Sequence, residues 1–212
     1  MPRLVRWAIT LAVVAVWVSA VHAQGIVIFG GYSYLRPPVT AEELFICTST
    51  VCPNSALPPD YVLAPNYVTN RRNLNGFEVS GAYHILPFLR LTADFSSHYG
   101  STINNSSSNA HQQFFLFGPE VSLPTWVSPF AHVLIGGSHQ SISSGTLTSA
   151  LPYNTVAANS HTGFSTAIGG GLDLKLIPHV YVRAIQIDYA VTRLNGNTQN
   201  DPRISAGLVL HL

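Results

Sequence analysis

The chain has 212 residues and a formal net charge of +1, and only 9% of its residues are charged, where soluble domains average about 25%. Lys175 is the single lysine. This composition excludes an electrostatic nucleic-acid binder and leaves too little charge to cover a surface facing water.

The first 23 residues, "MPRLVRWAITLAVVAVWVSAVHA", combine Arg3 and Arg6 with an uncharged apolar stretch, Trp7 to Val21, and a small-residue end, Val21-His22-Ala23. This is the pattern of a secretory signal peptide, placing the mature start at Gln24. The stretch is shorter than the roughly 18 apolar residues of a spanning helix, and no second one follows. An exported protein with a single domain over 24–212 is expected, and no cell-wall-binding domain is expected after it.

Beyond Gln24 the apolar residues alternate with period two, which marks strands with two unlike faces. The stretches are "IVIFGGYSYL", "FEVSGAYHI", "LRLTADFSSHY", "FFLFGPEVSL", "SPFAHVLIGGS", "FSTAIGGGLDLKL", "VYVRAIQIDYA" and "RISAGLVLHL". Each of these eight is about ten residues, enough to cross a bilayer when tilted by roughly 45°.

Their connections alternate in kind. Three are tight and centred on Pro87, Pro124 and Pro178. Four are read as long and polar, over 36–73, about 99–111, about 139–162 and about 191–202. Short turns on one side and long loops on the other are the pattern of an outer-membrane barrel. Alternation alone does not say which face is outward; the scarcity of charge assigns the apolar face to lipid. Aromatic residues near the strand ends (Trp126 and Tyr181 at one rim; Tyr34, Phe95 and Tyr189 at the other) fit the girdles of such barrels. The expected fold is all-β: an eight-stranded antiparallel up-and-down transmembrane barrel, with short periplasmic turns and long outer loops.

The terminal strand "SAGLVLHL" places Ala206, Leu208, Leu210 and Leu212 on one face. Such an ending is what a closed barrel is expected to show, since it pairs its last strand with its first and leaves no edge in lipid. Here the chain resembles the eight-stranded outer-membrane barrels of the OmpA-like and OmpX-like type. Ser205, Gly207, Leu210 and Leu212 match the assembly signal those proteins present to the insertion machinery, with Leu212 in place of the usual aromatic residue; "GGYSYL", "SPFAHVLIG", "GGGLDL" and "QIDYA" carry the rest. The resemblance implies a bacterial outer-membrane location, lipid and lipopolysaccharide around a monomeric barrel, and no cofactor.

The inward parity collects Glu78, Arg90, Asp94, Glu120, Asp173, Lys175, Asp188 and Arg203, with His84 and His132 beside them. Charges at membrane depth pair or meet water, so these form either a crosslinked polar plug or an ion path; the plug is the expected reading. Arg183 falls by parity on the lipid face, unless a bulge turns it inward. His98, His111, His139 and His161 lie at strand ends beside the outer loops, where scattered rim histidines are expected rather than a metal site, because no tight ligand spacing is present. Neighbours such as His98 with Ser96, or His139 with Ser138, are the raw material of a lipid-modifying hydrolase, but no enzyme activity is expected. Cys47 and Cys52, in "FICTSTVCPN", read as a disulfide stapling the loop over 36–73, which is placed to meet a surface ligand. A structural or surface-interaction barrel is the leading expectation, with a narrow solute channel as the alternative and a lipid A-modifying enzyme behind both.

Overall fold

The computed structural model describes residues 25–38, 45–47, 61–63, 73–101, 109–143, 145–146, 155–156, 159–194 and 197–212. The strands in chain order are β1 (Ile26–Leu35), β2 (Phe45–Cys47), β3 (Tyr61–Leu63), β4 (Leu74–Leu86), β5 (Leu89–Ser101), β6 (Asn109–Ser122), β7 (Val127–Ile142), β8 (Gly145–Thr146), β9 (Thr155–Val156), β10 (Asn159–Ile177), β11 (Val180–Leu194) and β12 (Asn197–His211). Eight of them close a barrel in the order β1-β12-β11-β10-β7-β6-β5-β4, and the four short ones form a separate sheet, β3-β2-β9-β8. The expected all-β, up-and-down barrel is therefore the fold observed.

Alternation is what makes the barrel possible, since inward and outward residues must exchange at every step around it. Along β6 the residues Ala110, Gln112, Phe114, Leu116 and Glu120 are buried while Phe115, Phe117 and Val121 are exposed. The outward residues are apolar up to one level and polar beyond it. On β6 they run Val121, Phe117, Phe115, then Gln113 and His111; on β7 Val133, Ile135, Gly137, then His139 and Ser141; on β12 Leu210, Leu208, Ile204, then Asn200. A barrel that is apolar outside, with its ionic groups inside, is built for lipid.

Closure rests on β1 and β12, which pair from Val27↔His211 to Leu35↔Arg203. Leu212 extends the seam, its amide donating to the Ile26 carbonyl at 2.8 Å. Gly31 and Gly207 face each other there, and a Cβ on Gly207 would lie 2.5 Å from Gly31 Cα and against the Gly30 carbonyl oxygen. The two backbones approach too closely for any side chain.

Several expectations need correction. The eight barrel strands run to between 10 and 19 residues, so the barrel outreaches the apolar layer at the loop end. The connection read over 191–202 is not long: β11 and β12 pair up to Leu194↔Asn197, leaving 195–196 between them. The third outer connection contains β8 and β9, and β9 pairs with β2 of the first, Ile46 opposite Val156. Tyr181 is not a lipid-facing girdle residue. A bulge between Arg183 and Gln186 shifts the parity of β11 toward its turn, and Tyr181 packs inward on Val27, Phe29, Ala82 and Val209. Residues 1–23 and Cys52 lie outside the described residues, and with them the signal peptide and the Cys47–Cys52 bridge.

Candidate functional site

The lumen is built in layers. At the turn end Val27, Phe29, Ala82 and Val209 form one apolar cluster, and toward the loops Leu35, Leu74, Ala110, Phe114, Leu116, Leu134, Ile142, Ala167 and Ala190 form another. Phe29, Phe114 and Leu134 supply the bulk, and the charges occupy the space between the two clusters.

Arg203 of β12 is the centre of that charged layer. Its Nη1 donates to Asp94 Oδ1 and to Ser96 Oγ, each at 2.8 Å, so it ties β12 to β5 across the bore. Its Nη2 and Nε donate to Asp188 Oδ2 at 2.6 and 2.9 Å, and Nε stands 3.6 Å from Glu78 Oε2. Asp188 also meets His132 Nε2 at 2.8 Å, and His132 Nδ1 lies 3.6 Å from Glu120, which pairs with Arg90. Glu78 accepts from Ser205 at 2.6 Å and from Gln186 at 2.8 Å.

Gln186 joins the second arginine to this centre, donating to Asp188 at 2.7 Å and accepting from Arg183 Nη1 at 2.6 Å. Arg183 grips Asp173 with Nε and Nη2, at 2.8 and 3.1 Å. Its guanidinium lies between two phenyl rings, 4.3 Å from the centroid of Phe29 and 4.0 Å from that of Phe130. Such cation–π contacts strengthen where water is excluded.

The structure thus brings Glu78, Arg90, Asp94, Glu120, His132, Asp173, Asp188 and Arg203 into one network, all of them buried. Two residues depart from the expected placement. Arg183 belongs inside, turned there by the bulge that also redirects Tyr181. Lys175 does not join; it is exposed at the turn end, with Nζ 6.0 Å from the Tyr181 ring. Gln186, the hub between the arginines, is uncharged and drew no attention in the sequence.

The histidines sort differently from the rim reading. His98 is buried in the lumen, its Nε2 2.8 Å from Ser33 Oγ, and it forms no pair with Ser96. His139 is outward and meets Thr162 and Ser160, whereas Ser138 points inward. The Ser–His neighbours at 96/98 and 138/139 therefore do not assemble. His111 does meet a serine, Ser97, at 2.9 Å on the outer wall. Among the described residues no group of three or more His, Cys, Asp or Glu could hold a metal ion. Of the assembly-signal residues, Ser205 faces the lumen, hydrogen-bonded to Ser33 and Glu78, and Leu210 and Leu212 face lipid.

No protein-family model and no curated protein matches the sequence. Solved structures do match in shape. Ail, the attachment invasion locus protein of Yersinia pestis, aligns over 88% of this chain and 99% of its own with 15% identity and a TM-score of 0.50. Neisserial surface protein A aligns over 87% of this chain and 96% of its own with 11% identity and a TM-score of 0.50. At these identities the likeness is one of fold, and the lipid-facing wall is argued from the chain's own residues. Together they make the chain an eight-stranded outer-membrane β-barrel.

Proposed function

We propose that this barrel is a closed anchor that works through its outer loops, with no transport through the lumen and no catalysis. The observation that carries the reading is the cross-lumen bonding of Arg203 to Asp94 on one side and Asp188 on the other, with apolar clusters above and below. Eight strands enclose a bore that side chains just fill, and this one is crossed by hydrogen-bonded ion pairs. An ion following the axis would have to break them in a low-dielectric space. Purified protein in planar bilayers should show no stable conductance. Reproducible open-channel steps in the unmodified protein would move the function to solute passage.

The loop end favours recognition. The pairing of β2 with β9 ties the first and third outer connections into one sheet, a platform broader than separate loops would make. We further propose that Cys47 and Cys52 close a disulfide within the first loop. The chain-entropy model gives so short a loop only about 2 kcal/mol, on a segment outside the barrel. Cys47→Ser should therefore change protease sensitivity of the loop and leave barrel assembly intact. Loss of heat-resistant gel mobility in that variant would show that the loop is part of the folding unit.

A further inference from the structure

Among the described residues the exposed charge is of one sign. The carboxylates among the described residues, Glu78, Asp94, Glu120, Asp173, Asp188 and Asp201, are all buried. The exposed ionic side chains among them are all basic: Arg36, Lys175 and Arg193. Lys175 stands at the turn-end mouth of the lumen, opposite Tyr181, and Arg36 and Arg193 stand at the loop end. A wall with cations and no described carboxylate is complementary to an anionic partner.

Where the apolar belt ends, the residues around Arg193 form a continuous face. Across β5, β6, β7 and β10 the last apolar row reads Phe95, Phe115, Gly137, Phe164, and Arg193 of β11 stands opposite Phe164. The row above reads Ser97, Gln113, His139, Thr162, and the next Tyr99, His111, Ser141, Ser160. Gly137 lies about ten residues from the start of β7, the reach of a tilted strand across the apolar layer. The switch from phenyl to imidazole, amide and hydroxyl groups therefore falls at headgroup level.

Gly137 breaks the phenyl row. A Cβ there would meet only the Gly163 carbonyl oxygen, at 3.6 Å, so a slot one side chain wide opens between Phe115 and Phe164, which are 58% and 56% exposed. Directly above it His139 is held between Thr162, at 2.8 Å, and Ser160, at 3.4 Å. His111 is bonded to Ser97 at 2.9 Å and stacked on Tyr99, with centroids 4.1 Å apart and planes 11° from parallel. These imidazoles are fixed in place before any ligand arrives.

We propose that this face binds one lipid of the outer leaflet, a phosphorylated, multi-acylated saccharide lipid of the lipid A class. Arg193 takes a phosphate, the guanidinium being suited to it, and His139, bonded at both ring nitrogens, holds Thr162 and Ser160 beside it. Gln113, Ser160 and Thr162 meet sugar hydroxyls, and an acyl chain enters the slot at Gly137. The face spans five strands, about 19 Å at the spacing of neighbouring strands, which a sugar-based headgroup covers and a single glycerophosphate does not. The site binds rather than hydrolyses. Ser97 and His111 form a hydrogen-bonded pair, but Ser97 is 1% exposed and no described carboxylate stands on this wall to orient His111. The proposal rests on the loop end facing outward, but the binding test below does not.

The test is binding of purified protein in detergent to bis-phosphorylated lipid A, to its dephosphorylated form and to phosphatidylglycerol. Lipid A should bind tightest, and Arg193→Gln with His139→Gln should weaken it by about tenfold or more. Removing the phosphates from the lipid should have a similar effect. Gly137→Leu should block the slot without touching a charge, and Lys175→Gln, at the opposite end, should change nothing. Heat-resistant gel mobility reports folding of each variant, and Arg193 is exposed enough for its replacement to be tolerated. Equal affinity of the double variant and the unmodified protein would overturn the proposal, as would phosphatidylglycerol binding as tightly as lipid A.

Discussion

Arg203→Met should lower the unfolding free energy of the barrel by about 3–5 kcal/mol, the usual effect of removing one partner from a buried ionic group, as read from urea titration in lipid vesicles. Arg203 is 1% exposed and sits among Asp94, Asp188 and Glu78. Without it the layer keeps its carboxylates and loses the cation that bonds across the bore. Methionine roughly preserves the volume, so the loss reports charge rather than a cavity. Arg90→Met should have a smaller effect, because its partner Glu120 also has His132 nearby. Adding Asp188→Asn to Arg203→Met should recover part of the loss, since the two residues share one network. An Arg203→Met barrel within about 1 kcal/mol of the unmodified protein would mean that water already solvates these groups. The lumen would then be open and the plug reading would fail along with it.

Period-two alternation made the eight strands legible, because each must separate a lipid face from a lumen face over its whole length. Tight turns at Pro87, Pro124 and Pro178 were legible because each interrupts the alternation between two apolar stretches, although Pro119, Pro129 and Pro202 lie within strands. What escaped was whatever breaks the period. The bulge between Arg183 and Gln186 inserts a residue into β11, and parity beyond it inverts; this sends Arg183 and Tyr181 inward, and alternation cannot announce such an insertion. Gln186 was overlooked because a neutral amide carries no charge signal, although it donates to both Glu78 and Asp188. His98 was placed at the rim because the barrel was given the membrane's height, whereas β5 continues to Ser101. The close pairing of β11 with β12 did have a cue in the sequence: Asn-Gly between alternating stretches is the strongest short hairpin signal. The polarity of the flanking residues concealed it, because strands rising beyond the membrane are no longer apolar outward. Pairing of β2 with β9 joins segments about 110 residues apart, and no local pattern encodes a contact of that separation.

Glycine at the closing seam gives the sharpest contrast between neighbours. Gly30 and Gly31 are adjacent on β1, and their partners on β12 are Leu208 and Gly207. A Cβ on Gly30 meets nothing within 4 Å, so Gly30→Ala points a methyl group into lipid. It should leave the barrel unchanged or stabilise it by up to about 1 kcal/mol, through the lost freedom of the unfolded chain. On Gly207 the same methyl group meets backbone: the Gly30 carbonyl oxygen and, at 2.5 Å, Gly31 Cα. Overpacking usually costs about 1–3 kcal/mol when side chains can yield. Here both contacts are main chain, held by the ladder that runs from Val27↔His211 to Leu35↔Arg203. The strands can separate only by giving up hydrogen bonds that lipid does not replace. Gly207→Val should therefore cost more than that range and leave much of the protein without heat-resistant gel mobility. Gly207→Ala should fall between Val and the unmodified chain. If Gly207→Val assembles as well as Gly30→Ala, the seam yields to a side chain and closure does not depend on this glycine.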